Sequence, residues 1–158
     1  MTNESLETTL LLFFLFYTIA SLGASVWLSV KKNEVLLANN PKLAPYKWGY
    51  FWGYVSILVA PVFIFYMWFD IELGTYNFSL SPSFDKILVS VLYSFSIAVI
   101  GFGIIKRIPL AWIASVVMFL ISFAFQLNWI GLGLAAINGY YAWNRRQELA
   151  FISFLKKK

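Results

Sequence analysis

The chain has no cysteine and no histidine, and only 12% of its 158 residues are charged. Without thiols or imidazoles it lacks the usual ligands of zinc, copper, haem and iron-sulfur centres, as well as thiol redox chemistry and imidazole acid-base catalysis. The absence of cysteine also excludes a disulfide-stapled secreted domain. So little charge is far from a soluble mixture, in which about a quarter of residues are charged. What fills the space is apolar: 61% hydrophobic residues, 20% aromatics and a mean hydropathy of +0.75. A globule of this size still exposes roughly a third of the surface of its unfolded chain, which is too much apolar surface for water. The composition therefore predicts an all-α polytopic integral membrane protein that uses no metal and no cofactor.

The intervals between charged residues locate the spans. Four long charge-free intervals cover 8–30, 48–69, 87–105 and 108–144, with lengths of 23, 22, 19 and 37 residues. A helix needs about 20 apolar residues to cross a hydrocarbon core of ~30 Å, so each of the first three predicts one transmembrane helix. The fourth is too long for one. Its middle carries the amides of Gln126 and Asn128 beside Leu127 and Trp129, which predicts a turn at the membrane surface with Trp129 as interfacial anchor. Two short arms, 108–125 and 129–144, then form a tight hairpin, giving a single domain of five transmembrane helices.

Orientation follows from the preference of Lys and Arg for cytoplasmic loops. With five spans and the N-terminus outside, Lys31, Lys32, Lys42, Lys47, Lys106, Arg107, Arg145, Arg146, Lys156, Lys157 and Lys158 are all cytoplasmic, and Lys86 alone among the 12 basic residues is outside. A single span over 108–144 would instead split the basic residues evenly between the two sides. Glu4 and Glu7 stand where a cleavable signal would carry basic residues, so the first apolar run is expected to remain as a span. The expected location is the cell inner (cytoplasmic) membrane, multi-pass.

Small and hydroxyl residues mark where helices should approach each other. Ser21 and Ser25, with Thr18 and Ser29, form one stripe on the first span, and Gly49 and Gly53 form the seam of the second. Gly131, Ala135 and Gly139 recur at every fourth residue of the last span and make the strongest close-packing motif. Asn138 beside them is the one amide deep in an arm, suited to an interhelical hydrogen bond. Pro61 removes a backbone donor and crowds the carbonyl of Ile57, predicting a kink. The tail over 145–158 mixes Arg145, Arg146, Lys156, Lys157 and Lys158 with apolar residues and is expected to lie as an interfacial helix on lipid headgroups. The charge of +5 thereby reports membrane orientation rather than a nucleic-acid partner.

No Asp, Glu, Lys or Arg falls inside a predicted span, which weighs against proton coupling. Asp70, Glu72 and Asp85 in the outer loop have no metal-ligand spacing, and the sequons at Asn3 and Asn77 are matches to a very short pattern. The expectation is a non-catalytic membrane protein that acts through helix-helix contacts with another membrane protein or with itself: an accessory subunit, an assembly factor or an immunity-type protein. The alternative is a small homo-oligomeric channel or carrier for neutral or hydrophobic solutes, walled by the hydroxyl stripes.

Overall fold

Five α-helices follow one another along the chain in a computed structural model that describes residues 3–41, 44–72, 75–78, 83–126 and 129–145. Helix α1 spans Asn3–Asn39, α2 Lys47–Val59, α3 Phe84–Ile105, α4 Pro109–Gln126 and α5 Trp129–Asn144. Each packs on its neighbour in sequence, so α1 meets α2, α2 meets α3, α3 meets α4 and α4 meets α5. The architecture is helical, as composition indicated. The strands that occur among the described residues form one antiparallel hairpin, β1 (Phe69–Glu72) with β2 (Thr75–Phe78), in register Phe69 to Phe78 and Glu72 to Thr75. It occupies the connection that the sequence reading treats as an irregular outer loop.

Several boundaries differ from the charge-free intervals, each for a local reason. Helix α1 has 37 residues and runs well past position 30. Lys31, Lys32 and Glu34 therefore belong to helix rather than to loop, and the Asn40 N–H still donates to the Leu36 carbonyl at 2.9 Å. Charge does not stop a helix, and the first residue that cannot extend it is Pro41. Helix α3 starts three residues earlier than the charge boundary, because Ser83 caps it by accepting from the Lys86 N–H and Asp85 complements the dipole of the first turn. Helix α4 starts at Pro109, whose missing N–H costs nothing at the first helical position. The last arm matches its expected bounds, whereas Leu127 and Asn128 of the expected turn lie outside the described residues.

The largest correction concerns 48–69, expected as one helix with a kink. The α-helix ends at Val59 and the chain continues as a 3-10 helix over Ala60–Trp68. Pro61 accounts for the change, since it cannot donate to the carbonyl four residues back. The polar backbone exposed there finds partners on neighbouring helices. The Leu58 carbonyl accepts from the Tyr17 hydroxyl of α1 at 2.9 Å, and the Ala60 carbonyl accepts from the Ser94 hydroxyl of α3 at 2.6 Å. The carbonyls served are thus those of Leu58 and Ala60, which flank the break.

Packing is inside-out relative to a water-soluble fold. Ser21, Ser25, Ser29, Asn33, Ser94, Ser115 and Asn138 are buried, while Phe13, Phe16, Trp27, Phe95, Phe102 and Ile130 are exposed. Two helices, over Glu7–Asn39 and Phe84–Ile105, are long and apolar enough to cross a membrane, and the apolar stretch of α4 over Pro109–Ile121 is shorter.

Candidate functional site

Tyr46, immediately before α2, is the point on which four helices converge. It follows Pro45, and its backbone N–H donates to Asn33 Oδ1 of α1 at 2.7 Å, so a side chain from another helix fixes the start of α2. Its hydroxyl donates to the Ile104 carbonyl of α3 at 3.0 Å and accepts from the Trp112 indole of α4 at 2.9 Å. Its ring meets Tyr50 edge-on at 5.1 Å and lies 6.2 Å from Tyr141 of α5. Burial pushes the phenol well above its ordinary value, and the Trp112 hydrogen bond and the Arg107 charge offset this only in part. The hydroxyl therefore stays neutral and keeps both bonds.

The α3–α4 turn places a cation on this cluster. The Ile108 N–H donates to the Gly103 carbonyl at 2.8 Å and the Arg107 N–H to the Ile104 carbonyl at 3.0 Å, which is the paired closure of a Schellman motif. That motif calls for a left-handed residue, normally glycine, and here Arg107 takes it at φ 61°. An L-residue with a side chain is disfavoured there by about 1–2 kcal/mol. The guanidinium lies 4.6 Å from the Tyr46 ring centre and 5.9 Å from that of Tyr50, so cation–π attraction offsets part of that cost. Its Nη2 is buried with no hydrogen-bond partner, and no carboxylate pairs with it among the described residues.

A second polar ladder joins α2 to the hairpin of α4 and α5. Trp48 and Trp52 stack with ring centres 5.9 Å apart, Trp48 donating to Asn138 Oδ1 and Trp52 to the Ser115 hydroxyl, both at 3.3 Å. Asn138 is 0% exposed, and its Nδ2 has no partner.

The residues singled out in the sequence are spread along the helix interfaces and do not meet in one place. Ser21 and Ser25 face α2. The Ser25 hydroxyl returns to the Ser21 carbonyl at 2.7 Å, and the Ser21 hydroxyl lies 3.5 Å from the Leu58 carbonyl. Gly49 is covered by the Tyr46 ring, which a Cβ would strike. Gly53 faces Gly101, where an added Cβ on either would come within 2.8 Å of the other's carbonyl oxygen. That pairing is tighter than the approach at Gly139 of α5. Gly131 and Ala135 are buried, whereas a Cβ on Gly139 would meet only Val116 at an ordinary 3.9 Å. Pro61 is exposed at the α-to-3-10 junction, and Arg145 lies 5.4 Å from the Tyr141 ring centre. Arg146, Lys156, Lys157 and Lys158 lie outside the described residues.

Tyr46, Trp112 and Arg107 escape the sequence reading because aromatics near span ends are expected in any case as interfacial anchors and loop cations as topology signals. One signal was present. The turn at 106–108 contains neither Gly nor Asn, so a side-chain-bearing residue must adopt the left-handed conformation. Among the described residues no cluster of three His, Cys, Asp or Glu side chains is arranged to hold a metal ion. Comparison with family models, with curated proteins and with solved structures returns no match.

Proposed function

We infer that the chain is a five-span protein of the cell inner membrane, with its N-terminus outside and its C-terminus cytoplasmic, and that it works without catalysis as an accessory or assembly subunit. The inside-out packing supports insertion, since large apolar side chains face outward while hydroxyls and amides line the helix contacts. Helix α2 and its 3-10 continuation together extend about 38 Å, enough to cross a core of ~30 Å. The arms α4 and α5 are about 27 and 24 Å long, which suits a thinned bilayer or a shallow hairpin. The connections α1–α2 and α3–α4 and the C-terminal end of α5 share one end of the bundle through Tyr46, the end that carries the cytoplasmic cations.

The observation that carries the binding role is the division of labour on α1. The hydroxyls of its stripe serve backbone carbonyls, Ser21 that of Leu58 on α2 and Ser25 and Ser29 those of α1 itself, and its opposite side, with Ala20, Gly23, Ala24 and Trp27, is exposed. Gly23 has nothing within 4 Å of a Cβ position, so a second helix can approach closely there. The same hydrogen bonds weigh against a channel walled by these serines, because their hydroxyls already serve backbone carbonyls. The test is purification in mild detergent with identification of whatever co-purifies, beside solute flux in liposomes. A defined membrane partner lost in G23L supports this reading, whereas a partner-free monomer or solute flux by the pure protein contradicts it.

A further inference from the structure

We propose that Arg107 is the anchor of a phosphate-binding site at the α3–α4 turn, placed to hold the headgroup phosphate of an anionic phospholipid. The turn accepts a strained backbone to present this side chain. Position 107 needs φ 61°, which glycine supplies without penalty, yet the residue there is an arginine. Strain of this kind persists where the surroundings hold it, and it concentrates at binding sites. Here two tyrosine rings hold it, at 4.6 and 5.9 Å from the guanidinium carbon.

What the rings leave unmet is a hydrogen-bonding edge of the guanidinium. A guanidinium has five donors in a planar fork matched to phosphate and carboxylate oxygens. Arg107 Nη2 is buried without an acceptor, and no carboxylate pairs with the group among the described residues. A buried donor in that condition is costly unless an anion completes it. Lys106 is exposed beside Arg107, which stands two residues before α4, whose N-terminal end carries positive partial charge. Asn138 Nδ2 is a second fully buried donor without a partner in the same end of the bundle.

The source of the phosphate follows from position. On the proposed membrane orientation, upon which this assignment of a lipid source rests, the turn stands at cytoplasmic headgroup level, where anionic lipids are the concentrated phosphate.

The full chain in nanodiscs of phosphatidylcholine with a minor fraction of phosphatidylglycerol provides the test, with co-isolated lipid counted by mass spectrometry. R107G is the decisive variant, because glycine fits the backbone at 107 and the fold is retained, as circular dichroism will register. Wild type is expected to enrich phosphatidylglycerol about tenfold over its bulk fraction, R107G to lose the enrichment, R107K to keep part of it, and K86Q to leave it unchanged. Inorganic phosphate titrated onto the detergent-solubilised protein distinguishes the source. Saturable binding abolished by R107G, without lipid enrichment, keeps the site and assigns it a soluble phosphate. Equal lipid enrichment in wild type and R107G, with no phosphate binding, overturns the proposal. Extraction of the chain from membranes by alkaline carbonate would overturn the membrane orientation instead, and phosphate binding would then decide the site alone.

Discussion

The guanidinium of Arg107 lies 4.6 Å from the ring centre of Tyr46, on a backbone that glycine would adopt more easily. Backbone strain and side-chain stacking oppose each other at this one residue, and substitution separates them. R107A removes the stacking and keeps the strain, whereas R107G removes both. R107G is therefore expected to be more stable than R107A by about 1 kcal/mol, measured by thermal unfolding in detergent. Equal stability would show that the left-handed conformation carries no strain in this turn.

Y46F tests the hub. It leaves the Trp112 N–H without its buried acceptor, while the Ile104 carbonyl keeps the Arg107 N–H, a loss of about 1–3 kcal/mol. The pH dependence has a definite sign. The folded phenol titrates above the unfolded value of about 10, so protonation favours the folded state. Its contribution is complete below pH ~10 and is lost as pH rises through the folded value. Wild type is expected to lose stability above pH ~10 more steeply than Y46F, and parallel curves would remove the buried phenol as the cause.

At the α2–α3 crossing, an added methyl meets the backbone of the other helix as well as side chains. G53A and G101A are each expected to destabilise by about 1–3 kcal/mol or to force the helices apart. G139A has ordinary space and gains helix propensity of up to about 1 kcal/mol. Urea or thermal unfolding of the three variants ranks the two seams. A larger loss at 139 than at 53 would reverse the assignment of the tighter contact.

Much of this fold was legible in the sequence because long apolar helices are written in charge-free intervals. The five helices and the pairing of α4 with α5 follow from spacing, whereas the proline predicts only a kink and not the change to a 3-10 helix. The end of α1 was not legible, since Lys31 and Lys32 end an apolar run without ending a helix. Nor was the choice of seam. Gly53, Gly101 and Gly139 look alike in sequence, and only the crossing geometry puts backbone against the first pair. The site was the least legible part, because Tyr46, Ile104, Arg107 and Trp112 meet through tertiary bonds that leave no local spacing.

The 3-10 segment after Pro61 depends on hydroxyls from elsewhere. S94A removes the 2.6 Å bond to the Ala60 carbonyl and is expected to cost about 0.5–1.5 kcal/mol. S96A removes a bond within its own helix, to the Leu92 carbonyl at 2.8 Å on an exposed side, and should cost less. The difference in unfolding temperature checks this, and an equal effect would mean that the break is not stabilised across helices.

The absence of cysteine makes single-cysteine labelling the most direct test of the five-span topology. T75C, N40C and N144C place one thiol each in the β-hairpin, after α1 and at the end of α5, and a membrane-impermeant maleimide is applied to intact cells and to permeabilised cells. T75C is expected to label in intact cells, and N40C and N144C only after permeabilisation. Labelling of N144C together with T75C in intact cells would contradict the hairpin of α4 with α5 and the cytoplasmic C-terminus.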